Sequence, residues 1–216
     1  MNEFVTESGA PLMPVVVGHL AKLQTGLDFI NTLDLWPVTH DHLDSPTAAL
    51  DWLVDHDLMH REARSHLLAQ YAASPAIGAG MLARLRKVRK SMRGVLEASA
   101  ARRAPDATDL DEINRALRTH YIYELVPAPD GVSLDHRHQG DPVDGAIARL
   151  SEAIARELIQ GDTARLRICD NAQCRWVFKD TSRTGKRKWC SMRSCGNRAK
   201  VARHRARQKT SSPSAL

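Results

Sequence analysis

All four cysteines of this 216-residue chain stand in its last quarter, as Cys169, Cys174, Cys190 and Cys195. They form two C-x4-C pairs with fifteen residues between them. No other feature restricts the fold as strongly. Two short-spaced pairs brought together by a hairpin supply the four soft ligands of a tetrahedral zinc site. No cysteine is left over, and a closed shell of four thiolates has no open position for a substrate. The spacing therefore implies one structural zinc; the alternative is four unrelated buried or redox-active thiols. Between the pairs, "RWVFKDTSRTGKRKWC" offers a β-prone start, a Thr-Gly-Lys turn and a second short strand expected at Lys188-Trp189. That is the outline of a zinc ribbon or a treble-clef variant.

Charge is divided as unevenly as the thiols. Residues 161–216 hold fifteen Lys and Arg against three Asp, while the preceding 160 keep sixteen basic and twenty-two acidic residues. The opposite signs point to a polyanion partner for the basic part, or to the two parts folding against each other. No stretch approaches the ~18 apolar residues of a membrane helix. "MNEFVTESGAPLMPVVVG" has acids where a signal peptide is basic, so a cytoplasmic chain is expected. Thiols in that compartment are ligands more often than disulfide partners.

Before the cysteines the pattern is mainly helical. A short β-branched run at 14–18 precedes Leu20, Leu23, Leu27 and Ile30 at helical spacing, and Trp36-Pro37 is expected to break that helix. Ser45-Pro46 starts another helix, and "HREARSHLLAQYAA" predicts a further one. After a Gly-rich break expected at 74–80, Leu82, Leu85, Val88, Met92 and Leu96 mark a long amphipathic helix. Thr108 and Asp111 resemble a capping box. "YIYELVPAPDGVSLDHRH" alternates around Pro-Asp-Gly and predicts a β-hairpin, after which Pro142 opens a helix through Leu158. The fold class expected is mainly α with a small β element. It divides into a helical domain over 1–160, a finger with its basic helix over 161–209, and a disordered tail over 210–216.

The segment "RICDNAQCRWVFKDTSRTGKRKWCSMRSCGNRAKVARHRAR" resembles the CGNR zinc-finger family, whose name-giving tetrapeptide stands here as Cys195-Gly196-Asn197-Arg198. "GLDFINTLD" and the helices after it resemble the ABATE domain that usually precedes this finger in stress-induced transcription regulators. The sequence departs from the pattern at "NAQC", where many members carry Pro before an acidic residue. The resemblance implies nucleic-acid binding.

The residues after Cys195 support that implication independently. Gly196 is expected to permit a tight turn, and Asn197 to cap a helix through "RAKVARHRARQK". Cys195, Ala199, Ala202 and Ala206 would share a small-residue face against the ribbon, leaving Arg198, Lys200, Arg203, Arg205 and Arg207 outside. Arg183, Lys186, Arg187 and Lys188 extend the same basic surface. Such a helix suits a groove or a phosphate backbone. DNA is preferred to RNA because Trp176, Phe178 and Trp189 serve better as the finger's own core than as a stacking platform.

In the acidic part, Asp28 and Asn31 of "LDFINTLD" are candidate contacts for a small-molecule effector; the alternative is that they satisfy backbone groups. His40, His42, His56 and His60 lack the H-E-x-x-H pattern and are expected to be surface or loop residues. Hydrolase, Walker and Rossmann signatures are absent, so no enzyme is expected. The sequence thus describes a DNA-binding transcriptional regulator, with an effector and a homodimer as open possibilities. Its rivals are an RNA-binding finger and a module docking on an acidic protein.

Overall fold

A serine followed by proline starts a helix for two reasons: the hydroxyl accepts from an orphaned amide, and the ring fixes φ where no donor is needed. Ser45 does the first, its Oγ accepting from the Ala48 amide at 3.2 Å, and Pro46 does the second. The computed structural model describes residues 21–35, 38–119, 121–129, 131–138 and 140–211. In chain order, α1 (Leu23–Ile30) is followed by the short strands β1 (Leu33–Asp34) and β2 (His40–Asp41). Then come α2 (Pro46–Asp55), α3 (Arg61–Ala73), α4 (Pro75–Ala100) and α5 (Ala107–Leu117). A hairpin of β3 (Tyr121–Ala128) and β4 (Gly131–His138) leads into α6 (Pro142–Gln160). Strands β5 (Leu166–Ile168) and β6 (Val177–Lys179) and helix α7 (Asn197–Ser211) follow. The described strands pair as three antiparallel ladders, β1 with β2, β3 with β4 and β5 with β6, in a mainly helical molecule. The β-branched run at 14–18, the break at Trp36-Pro37 and the end of the chain after 211 lie outside the described residues.

Helix α4 is the spine because its apolar residues recur at helical spacing over its whole length. Met81, Leu82, Leu85, Val88, Met92, Val95 and Leu96 are all buried, and α1, α2, α3, α5 and α6 pack around it. One charged side chain sits in this stripe. Arg89, 7% exposed, donates from Nη1 and Nη2 to the two carboxylate oxygens of Asp41, at 2.5 and 2.8 Å. Its Nη1 also reaches Thr32 Oγ1 at 2.9 Å, so the fork fixes the β1–β2 segment onto the spine. Burial works to raise the Asp41 pKa, but the Arg89 hydrogen bond, the Leu43 amide and the charges of Arg89 and Arg86 outweigh it and hold the carboxyl below its ordinary value.

Four local expectations differ from the structure. The interruption expected over 74–80 is confined to Ser74, because α4 begins at Pro75 and runs through both glycines. Gly78 is useful there: a Cβ would stand 3.2 Å from Tyr71 and 3.3 Å from Pro46. The cap of α5 is Asp106, which accepts from the Thr108 amide, in place of the Thr108 capping box. Lys188-Trp189 is not a strand; the partner of β6 is β5, with Leu166 opposite Lys179 and Ile168 opposite Val177. Finally, α6 does end at Gln160, beside the boundary expected at 161, yet the apolar core continues past it. Leu166 and Val177 join the same buried cluster as Leu27, Leu85 and Ile154.

Candidate metal centre and basic helix

The finger is assembled from short pieces, each fixed by a particular polar group. Strand β5 delivers the chain to Cys169, whose amide donates to the Trp176 carbonyl at 2.8 Å. Between them Asn171 folds the backbone back on itself. Its side-chain oxygen accepts from the Gln173 amide at 3.1 Å, and its carbonyl accepts from the Cys174 and Arg175 amides at 2.9 and 3.0 Å. Arg175 takes the left-handed φ of 57° that closes this knuckle.

After β6, a buried carboxylate organises the long turn. Asp180, 1% exposed, accepts from the Ser182 amide at 2.9 Å and the Arg187 amide at 2.8 Å. Burial works to raise its pKa, but hydrogen bonds from Ser182 and Arg187, with the Arg187 charge, hold it down at about 2. Gly185 takes φ of 61° in this turn, and its carbonyl accepts from Arg167 Nη2 at 2.9 Å. Arg187 then crosses over the Phe178 ring, 5.1 Å from its centroid, and donates to the Cys190 carbonyl at 2.6 Å.

The second cysteine pair opens a helix. Ser191 is its cap, its Oγ accepting from the Ser194 amide at 3.4 Å. A wide π-turn, Met192–Gly196, follows, in which the Gly196 amide donates to the Ser191 carbonyl at 3.0 Å. Asn197 is already helical at φ −65° and ψ −43°, so the cap expected there belongs to Ser191. Gly196 has no positive φ; a Cβ there would meet Met192 Sδ at 2.8 Å, which that exposed side chain can relieve by moving, and Trp189 Cδ1 at 3.1 Å, a tight contact.

These pieces bring the four Sγ atoms within 4.8 Å of one another. Cys174 and Cys190 are 3.7 Å apart and Cys190 and Cys195 are 3.8 Å apart. A tetrahedron with metal–sulfur bonds of about 2.3 Å has edges of about 3.8 Å, whereas a disulfide is about 2.05 Å long. The donor set and its spacing fit a metal ion. Cys169 and Cys195 are buried, Cys174 and Cys190 half-buried. Burial first and then the neighbouring thiols push Cys190 well above the ordinary thiol range, and burial pushes Cys174 up to about 11. Cys195 is lowered although burial opposes it, because Asn171 Nδ2 donates to its sulfur at 3.5 Å and the other thiols donate as well.

The finger is tied to the helical body by polar contacts. Asn31, 6% exposed, donates from Nδ2 to the Val177 carbonyl at 2.8 Å and accepts from the Val177 amide at 3.1 Å. Trp176 Nε1 donates to Asp34 at 3.1 Å, Arg93 Nη2 to the Arg175 carbonyl at 2.6 Å, and Lys179 Nζ to Glu157 at 2.8 Å. Asn31, read from sequence as an effector contact, therefore has both ends of its amide engaged by β6. Asp28 is half-buried on α1 and accepts from Gln24 Nε2 at 2.7 Å. Among the described residues the four cysteines form the one His, Cys, Asp and Glu group close enough to hold a metal ion.

The expected basic surface splits into two groups. Arg187 is internal to the finger, while Lys188 is exposed and lies 3.9 Å from the exposed Asp170. Arg198 is half-buried beside Asp34, Trp176 and the cysteines. Arg183, Lys186, Asn197, Lys200, Arg203, Arg205 and Arg207 are exposed. Ala199 is half-buried, but beyond it every residue of α7 whose side chain is described is exposed, Ala202 included. The small-residue face therefore leaves the finger after one turn; Ala206's side chain lies outside the described residues. Sequence reading missed Asp180 and the role of Arg187, although Asp-x-Ser is an Asx-turn signal that marks the first.

Fold and site together define a helical body carrying a four-cysteine, treble-clef-like finger. Residues 23–165 match the ABATE family, described as "Putative stress-induced transcription regulator", and residues 165–208 match the CGNR zinc finger. The chain belongs to the ABATE family, with a CGNR zinc finger after the ABATE domain. No curated protein matches it. No described helix is long and apolar enough to cross a membrane.

Proposed function

We propose that this chain regulates transcription by binding duplex DNA through α7, with one structural zinc on Cys169, Cys174, Cys190 and Cys195. The observation that carries the reading is the position of α7. It leaves the four-cysteine cluster with Lys200, Arg203, Arg205 and Arg207 exposed, and residues 197–211 contain no acid to neutralise them. An isolated helix of this length is marginal in water, and like charges along it weaken it further. A polyanion relieves both penalties. The exposed Ala202 leaves room for close approach, and about 22 Å of helix is long enough to lie in a major groove about 12 Å wide.

Duplex DNA is favoured over RNA on two grounds. The A-form major groove is too narrow for a helix. Phe178 is buried, and Trp176 and Trp189 are half-buried, which leaves little aromatic face for unstacked bases. A closed four-thiolate shell gives the metal a structural role, and reduced thiols with a DNA partner suit the cytoplasm. The zinc acts by position: it fixes the start of α7 relative to the body, so the arginines are presented as an ordered array.

The test is the variant Lys200→Ala, Arg203→Ala, Arg205→Ala, with zinc content measured alongside affinity for random duplex DNA. It is expected to bind far more weakly at unchanged zinc. Unchanged affinity across a range of salt would remove α7 as the DNA contact. Tighter binding to single-stranded RNA than to the duplex would overturn the choice of nucleic acid.

A further inference from the structure

A second concave site lies on the helical body, away from the finger. It is a cavity of about 310 Å³ between α4, α5, the residues after α5, the end of β4 and α6. That volume is at the lower end of ligand-sized pockets, about 300–1,000 Å³. Val88 and Ile147, both buried, and Ala116 supply apolar wall.

The polar groups around it are out of balance. Its acids are already matched: Glu112 pairs with Lys87 at 2.6 Å and with Arg115, and Asp144 pairs with Arg84 at 3.3 Å. Arg84 also reaches Asp141 at 2.7 Å. What remains is donor capacity. The Arg84 Nε and the Thr119 Oγ1 are buried and make no hydrogen bond. The guanidinium of Arg118 lines the same space, with no opposite charge bound to it among the described residues. His138 adds an imidazole to the wall. Buried polar groups are nearly always satisfied, so an unmatched N–H and hydroxyl, with an exposed arginine at the rim that no described carboxylate holds, point to an anionic acceptor. Arginine selects carboxylate or phosphate oxygens for that role.

We propose that this cavity binds a small organic anion, a carboxylate or phosphate carried on an apolar frame about the size of one ring. The anionic oxygens face Arg118, with the Thr119 hydroxyl and the Arg84 Nε–H in reserve behind the wall; the frame lies on Val88, Ala116 and Ile147. The site is distinct from the effector contacts expected at Asp28 and Asn31, and it stands independently of DNA binding by α7.

The experiment titrates the full zinc-loaded chain with benzoate, phenyl phosphate and the neutral analogue benzyl alcohol. Methyl NMR of Val88 and Ile147 is the readout, because anions gathered by the basic helix do not move those methyls. At least one of the two anions is expected to shift both methyls saturably, and benzyl alcohol to shift them far less. Preference for one anion distinguishes carboxylate from phosphate. Arg118→Ala, a change at an exposed residue, is expected to weaken the anion about tenfold or more with the unliganded spectrum otherwise preserved. Thr119→Val, which keeps the volume and removes the hydroxyl, is expected to weaken it in the same direction. The proposal is overturned if neither anion shifts the methyls at roughly 10 mM, if the neutral analogue binds equally well, or if Arg118→Ala binds unchanged.

Discussion

Asn31 and Val177 stand 146 positions apart and exchange two hydrogen bonds, at 2.8 and 3.1 Å, as two residues of neighbouring strands would. The asparagine side chain takes the place of a backbone partner for β6, which has β5 on its other side. Its burial makes those bonds dry, and so costly to lose.

Asn31→Ala is therefore expected to destabilise the protein by about 2–3 kcal/mol, since it leaves the buried Val177 N–H and C=O without their side-chain partner. Chemical denaturation followed by circular dichroism measures this. A loss within about 0.5 kcal/mol, the size of an ordinary surface change, would show that the pair contributes little.

Arg89→Met should cost about 2–3 kcal/mol at neutral pH, because it removes the fork that holds the half-buried Asp41. The pH dependence follows from the lowered pKa of Asp41. A depressed carboxyl stabilises the fold fully above its unfolded value, near 3.8, and that contribution disappears as pH falls through the folded value. Asp41→Asn is expected to flatten the fall in stability below about pH 4, relative to the parent. An identical acid profile for the two proteins would contradict the assignment.

Arg187→Ala is expected to loosen the finger more than it reduces charge. The guanidinium holds the Cys190 carbonyl and covers Phe178, so its loss should speed metal release to a chelator. Arg183→Ala, at an exposed position in the same turn, should leave release unchanged. Equal rates in both variants would return Arg187 to the set of simple surface charges.

Cys190→Ser is expected to lose the metal and to disorder α7 while hydrogen exchange in β5 and β6 stays slow. The reason is that Leu166 and Val177 are buried with the helical body, apart from the small cysteine cluster. Fast exchange throughout 166–179 would mean that the metal, and not the body, holds the hairpin.

In binding to DNA, log affinity should fall linearly with log salt, by about 0.9 per phosphate neutralised. Each alanine at Lys200, Arg203 or Arg205 should then reduce the slope by about 1 if it removes a phosphate contact. Affinity independent of salt is the result that the basic helix could not accommodate.

The sequence made visible the features that repeat or that have a local cause. Helical spacing exposed the stripe of α4, and Ser45-Pro46 marked a cap whose partner is three residues away. The cysteine pairs were legible because metal geometry needs that spacing. Other features depend on distant partners. Nothing near Lys188-Trp189 says that β6 already has β5, or that Asn31 takes the opposite edge. Gly78 looked like a helix break because the demand for a missing side chain comes from Tyr71 and Pro46. Asn197 looked like a cap because nothing local shows the wide turn before it, which brings Cys195 to the other three cysteines. The donors around Arg118 gave no signal at all, since five segments supply that cavity.

The two family matches meet at residue 165, and Leu166, the next residue, is 1% exposed inside the core of the preceding helices. A recombination breakpoint placed at that junction would graft a foreign leucine and valine into cavities shaped by Leu85 and Ile154, and would separate Asn31 from the strand it borders. Fingers of this kind cannot be traded between bodies as beads on a string. Because Asn31 binds the backbone of Val177, position 31 answers to where β6 lies and not to which side chain stands at 177.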